Sequence, residues 1–194
     1  MPRLKVSPVA ASFVDLCHYA WGIPALSVLA GDGGAKLITV ANRLQIASET
    51  ARRTLRALVE LDLVMPNPGY GHPMRPEYIL APGGEAIGRA TLALWTQLRT
   101  LSEDAQAACR RKWALPTLVA ITREAERFSE IEEALGRITP RALAQTLDAL
   151  VDAALVERDV DEGPPVRTRY VLTEAGASVA SVANELDRAA GADD

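Results

Sequence analysis

Along residues 114–190 the apolar positions change period in a fixed order. Ala114–Arg123 is apolar at helical spacing, with Pro116 tolerable only in the first turn. Phe128, Ile131 and Leu135 stand at i, i+3 and i+7, one face of a short helix. Thr139-Pro140 reads as an N-cap and first helical residue, and Leu143, Leu147, Leu150 and Val151 give the following helix a buried stripe. Leu155–Val160 predicts a short strand, and Asp161-Glu162-Gly163-Pro164-Pro165 a turn. In Arg167–Leu172 the period drops to two, with Val166, Thr168 and Tyr170 alternating against Arg167 and Arg169. Thr173 and Gly176 then open a last helix that runs to about Arg188.

Residues before 101 repeat this order: a helix to about Ala30, a short helix Leu37–Leu44, a longer one Ser48–Leu61, a strand near Val64, a loop Pro66–Pro76, a strand Glu77–Leu80 and a helix Gly83–Leu98. Gly31-Asp32-Gly33-Gly34 follows a helix rather than a strand, so it reads as a turn and not as a phosphate cradle. At an offset of 92 the chain aligns with itself without a gap, and residues 17–88 match 109–180 at 18 of 72 positions. The matches include Cys17 with Cys109, Trp21 with Trp113, Pro24 with Pro116 and Tyr78 with Tyr170, residue types that Ala-rich helices do not pair by chance. The expected fold is therefore mainly α with small β-hairpin wings. It consists of two tandem winged helix-turn-helix modules, 9–101 and 102–190, forming an intrachain pseudo-dimer. The joining stretch near 98–108 lacks Pro and Gly and is expected to be a helical connection.

The second module carries Lys112-Trp113, Arg127-Phe128-Ser129-Glu130-Ile131, Ile138-Thr139-Pro140-Arg141-Ala142-Leu143, Leu155-Val156-Glu157-Arg158, and a run from Pro164 to Gly176. In these residues it resembles the HxlR-type winged-helix regulators, relatives of MarR-type proteins. The first module keeps the frame but has Ala20-Trp21 for Lys-Trp and Ala81-Pro82-Gly83-Gly84 for Thr-Glu-x-Gly. The resemblance implies double-stranded DNA as partner, with the third helix of each module in the major groove and the wing on the neighbouring backbone. The family forms dimers of single-module chains; two modules in one chain depart from that pattern and leave open a monomeric pseudo-dimer or a homodimer.

In the first module's third helix, Ala51, Leu55, Leu58 and Val59 form the inward face. Arg52, Arg53 and Arg56 then point outward, with Ser48, Glu49 and Thr50 at the N-terminus. Guanidinium groups on one arc suit phosphate oxygens and guanine edges, though the same face could be simply solvated. The first wing offers Arg75 beside His72. The second module offers Thr139, Arg141 and Gln145 on its third helix, followed by Asp148 and Asp152, and Arg167 and Arg169 in its wing. Net charge sharpens the contrast. Residues 1–101 hold 10 Lys+Arg against 7 Asp+Glu, a balance of +3; residues 102–194 hold 11 against 18, a balance of −7. The first half is expected to bind DNA more tightly.

Cys17 and Cys109 each precede a Trp by four residues and are expected one helical turn from it. Arg110, Arg111 and Lys112 would lower the Cys109 pKa, which makes a redox or electrophile sensor one reading and a pair of small buried thiols the other. Trp21, Trp95 and Trp113 are either core anchors or the lining of an intermodule cavity for a planar apolar effector. No arrangement of His, Ser, Cys or Asp suggests an enzyme, a metal site or a cofactor. The two cysteines suit a reducing cytoplasm, no apolar run is long enough to span a bilayer, and the N-terminus does not read as an export peptide. The expected function is a cytoplasmic, sequence-specific transcriptional regulator, a repressor by promoter occlusion, controlled by an effector or by cysteine modification. Two rivals stand beside it: an acidic protein-binding scaffold like the tandem winged-helix condensin accessories, and a ligand-sequestering protein that has lost DNA binding.

Overall fold

A computed structural model describes residues 7–69, 76–82, 84–161, 163 and 167–193. The first half contains α1 (Ala11–Cys17), α2 (Gly22–Asp32), β1 (Ala35–Lys36), α3 (Leu37–Leu44), α4 (Ser48–Glu60), β2 (Val64–Pro66), β3 (Glu77–Leu80) and α5 (Glu85–Leu98). The second contains α6 (Glu103–Cys109), α7 (Ala114–Thr122), α8 (Phe128–Leu135), α9 (Pro140–Asp152), β4 (Val156–Asp161), β5 (Arg167–Leu172) and α10 (Glu174–Ala190), followed by a 3-10 turn, Gly191–Asp193. Each half is thus helical with one small antiparallel sheet, the arrangement of a winged helix. The first sheet has the order β1-β3-β2, with Val64 opposite Leu80 and Ala35 opposite Tyr78. The second is the hairpin β4-β5, with Val156 opposite Leu172 and Asp161 opposite Arg167.

Most element bounds recur at a spacing of 92, but one stretch does not. The pair α1 and α6, the pair α4 and α9, and the start of α2 and α7 are 92 apart; α3 and α8 are 91 apart. Their buried residues agree, Val40 with Ile131 and Leu44 with Leu135, and so do their left-handed turns, Gly33 (φ 70) with Glu124 (φ 69) and Gln45 (φ 53) with Gly136 (φ 64). The gapless register therefore misplaces this stretch. A slip of one residue turns a helix by about 100° and would rotate the apolar face of α8 out of the core. The chain makes up the residue before Ile138, where Arg137 has no counterpart between Gln45 and Ile46.

The joining segment also differs from expectation. α5 stops at Leu98, and residues 99–101 turn before α6 begins at Glu103. Ser102 is the reason: its hydroxyl accepts from the Ala105 amide (3.3 Å), and Glu103 and Asp104 follow in the first turn, where the helix dipole favours carboxylates.

One continuous core runs through both halves, with Phe13, Leu26, Leu55 and Leu94 on one side and Leu118, Ile131, Leu147 and Leu186 on the other. The halves join where α5 lies against α10, while α5 also packs on α2 and α10 on α7. α1 crosses over to the second half and rests on α7 and α10. Ala10 caps α1 with no side chain of its own; the Asp187 carboxylate of α10 accepts from its amide (2.9 Å). Asp187 is also ion-paired to Arg123, whose other guanidinium nitrogens donate to Asn184 Oδ1 and to the Pro8 carbonyl (2.7 Å). The Val9 amide donates to the Ala134 carbonyl (3.1 Å), and Ser12 Oγ donates to the Ala190 carbonyl (2.8 Å).

Candidate nucleic-acid interface

α3 and α4 form a helix-turn-helix whose second helix presents a charged outer face. Ala51, Leu55 and Leu58 are fully buried, Thr54 and Ala57 nearly so, and Val59 is half-buried. Ser48, Arg52, Arg53 and Arg56 are exposed and lie on one outward arc of a single helix, while Thr50 is half-exposed beside the buried face. Arg52 is held by Glu49 (3.5 Å), both side chains remaining largely in solvent. Arg53 and Arg56 have no ion-pair partner among the described residues, which leaves them open to an external anion. Arg75 and His72 fall outside the described residues.

The second half places its residues on the corresponding helix but with different charge. Thr139 caps α9, its hydroxyl accepting from the Ala142 amide (3.3 Å). Arg141 and Gln145 are exposed on the first two turns, and Asp148 and Asp152 are exposed on the later ones. In the hairpin register the wing arginines pair with acidic positions, Arg169 with Asp159 and Arg167 with Asp161. Arg169 also lies 3.9 Å from Glu126. Cross-strand neighbours sit about 5 Å apart at Cβ, so this wing carries little net positive charge toward a phosphate. The sequence already sets Arg167 and Arg169 among Asp159, Asp161 and Glu162; the strand register adds which position stands opposite which.

The cysteines and tryptophans require a correction. Cys17 ends α1, and Trp21 stands at the start of α2 after a turn, with the two helices bent 96° from one another. Cys109 and Trp113 are divided in the same way between α6 and α7. Neither pair shares a helix. Both thiols are free and buried. Burial raises the Cys109 pKa to about 12 against the smaller lowering effect of Arg110, so the expected thiolate does not form. Burial likewise pushes the Cys17 thiol up, with Asp187 and Cys109 adding to it.

Cys17, Cys109 and Trp95 do come together, around a gap of about 20 Å³ between the halves. That holds about one water and no planar effector. Trp21 and Trp113 lie elsewhere: the Arg110 guanidinium stacks 5.2 Å over Trp21, and the Lys112 ammonium lies 5.0 Å over Trp113. All three indoles are half-buried and packed against the core. Among the described residues no helix is long and apolar enough to cross a membrane, and no group of three His, Cys, Asp or Glu is placed to hold a metal.

Comparison with known proteins bears on the second half. The HxlR-like helix-turn-helix family matches residues 109–192. The uncharacterized HTH-type transcriptional regulator YvaP of Bacillus subtilis is 33% identical over 78 residues, 40% of this chain and 72% of that one. An uncharacterized HTH-type transcriptional regulator of Methanothermobacter thermautotrophicus is 37% identical over 75 residues, 39% of this chain and 57% of its own. The HTH-type transcriptional regulator YodB of Bacillus subtilis is 38% identical over 61 residues, 31% of this chain and 54% of its own, so these last two are matched over little more than half their length. No solved structure matches the chain significantly. With a helix-turn-helix and wing in the matched residues, and most of one relative covered, the chain belongs to the HxlR-like helix-turn-helix family.

Proposed function

We propose that this protein is a sequence-specific, double-stranded-DNA-binding transcriptional regulator of the cytoplasm, a repressor that occludes its promoter. Its two modules, 9–101 and 102–190, act as the two halves of a dimer held in one chain. The observation that carries the reading is the arc of exposed side chains on α4, with Arg53 and Arg56 unpaired among the described residues, on the second helix of a helix-turn-helix. In this reading Ser48, Thr50, Arg52, Arg53 and Arg56 contact one half-site, with Arg75 on the flanking backbone. Thr139, Arg141 and Gln145 contact the other more weakly, because Asp148 and Asp152 repel phosphate along the later turns of α9. The wing pair Arg167 and Arg169 adds little beside its opposed carboxylates.

Selection of genomic fragments by the purified chain, followed by a salt titration of the best fragment, tests this. The expected result is a discrete, roughly two-fold site whose affinity falls steeply with salt. The triple variant Arg52→Ala, Arg53→Ala, Arg56→Ala should flatten the log–log salt slope by about 2 to 3. Unchanged affinity and slope in that variant would remove α4 from the interface. No enriched fragment would favour the scaffold reading, which the exposed Asp148 and Asp152 on α9 support.

A further inference from the structure

α4 and α9 agree in what they bury and disagree in what they present. Both have 13 residues, and they stand 92 positions apart. The inner side repeats: Thr54, Leu55 and Leu58 stand again as Thr146, Leu147 and Leu150, all buried. The outer side does not. Six positions are exposed on both helices, and none of the six holds the same residue twice. Glu49 is matched by Arg141, Arg52 by Ala144, Arg53 by Gln145 and Arg56 by Asp148. In a homodimer the two recognition helices are identical, so the two half-sites they read must match. Here each helix has its own codons, and only the packing side has stayed the same.

Arg53 and Gln145 separate the two faces most sharply. A guanidinium forks onto O6 and N7 of guanine, whereas a carboxamide pairs with N6 and N7 of adenine. Arg52 is tied to Glu49 (3.5 Å), while Arg53 has no ion-pair partner among the described residues and keeps its fork for an outside acceptor. On α9 the neighbour of Gln145 is Ala144, which removes the competing cation and offers a methyl suited to the methyl of thymine.

We propose that the chain recognises an oriented, non-palindromic DNA site, in which α4 reads guanine through Arg53 and α9 reads adenine through Gln145 at the equivalent base pair of the other half-site. The half-sites share an inverted arrangement but not their bases, so the protein lies on its site in one direction only. The inference rests on the reading of α4 and α9 as the two DNA-contacting helices.

The test uses the full chain to select duplexes from a pool randomised over about 25 base pairs, room for two half-sites a helical turn or more apart. The expected consensus has guanine in one half-site where the other has adenine. Arg53→Gln should turn that guanine to adenine and leave the second half-site alone. Gln145→Arg should turn the adenine to guanine and leave the first alone. Each substitution should reverse a preference of about tenfold at its own base pair, the discrimination that one bidentate contact supplies. Both residues are exposed at matching positions, so neither exchange disturbs the packing. Direction is read separately. An iron chelate carried by Glu60→Cys, on the exposed end of α4 and with the natural cysteines buried, should cleave beside the guanine half-site and not beside the other. A consensus with the same bases in both halves, a single half-site, or preferences that neither substitution moves overturns the inference and leaves DNA binding standing. Equal cleavage beside both half-sites overturns the single direction. Failure to enrich any sequence removes the regulator reading, and this inference with it.

Discussion

Cys109 shows how far local sequence and folded environment can disagree at a single residue. Its neighbours Arg110, Arg111 and Lys112 suggest an activated thiolate, yet the thiol faces inward, close to Cys17 and Trp95. Desolvation outweighs the nearby charge. Nothing in the run of residues reveals this, because the partners that bury Cys109 lie more than 10 residues away in sequence, on α1 and α5. Two outcomes follow. Iodoacetamide at neutral pH should leave the native protein unlabelled and modify both cysteines in denaturant; labelling of the native chain would contradict their burial. Stability should also depend on pH in a defined direction. An unfolded thiol ionises near its ordinary value of 9.0 and the folded Cys109 only near 12, so the stabilisation is complete below the first value and is lost as pH rises toward the second. Denaturant midpoints should therefore fall from about pH 8 to pH 10, and fall less in Cys109→Ala. By contrast, Gly176 was legible as a helix opener, and the structure adds why only glycine serves: a Cβ there would stand 1.9 Å from the Leu155 carbonyl oxygen.

At the scale of elements, helices with strong apolar stripes are where sequence and structure agree best. α3 and β3 occupy the expected residues, and α4 and α9 differ from expectation by one residue at most. The stretch that slipped was the one with no identical residues between Leu26 and Ile46, where identity could not fix the register and only the apolar face could. The turn before α6 was hidden for another reason. Good helix formers surround it, and one capping serine outweighs them by offering the chain a new start. The wings carry the prediction that belongs to this scale. Because Asp159 and Asp161 oppose Arg169 and Arg167, the double variant Arg167→Ala, Arg169→Ala should change the salt slope of DNA binding by less than the pair Arg53→Ala, Arg56→Ala does. An equal or larger effect in a salt titration would show that the second wing lies on phosphate despite its carboxylates.

For the whole molecule, the contact that joins the halves matters more than either half alone. α5 against α10 makes the central seam, and the Arg123–Asp187 pair fixes the start of the chain to the end of it. Asp187 is 4% exposed, and Arg123 is mostly buried, so removing one partner strands a charge. Asp187→Ala should cost about 3 to 5 kcal/mol in denaturant unfolding and should speed hydrogen exchange at the Val9 and Ala10 amides. A loss below about 1 kcal/mol would mean that the pair is a surface contact in effect. The seam was only partly legible. The repeat pointed to two halves facing each other, but not to α1 resting on the opposite half, since a docking site on α10 leaves no trace in the pattern of α1 itself.

That docking brings residues 8–12 against residues 187–191, and the alanine Cβ of Ala10 lies beside Gly191, where a Cβ would come within 3.1 Å of it. Residues 99–102, which link α5 to α6, stand 92 positions from residues 7–10, the segment before α1. The polypeptide is thus nearly a closed ring with one covalent and one non-covalent joint. A circular permutant, opened within residues 99–101 and spliced by a short linker between residues 191 and 8, should fold to the same contacts and retain the same ligands. Failure of that permutant to fold would mean that the two joints are not interchangeable, and that the order in which the helices are made, rather than their final neighbours, determines how this molecule closes.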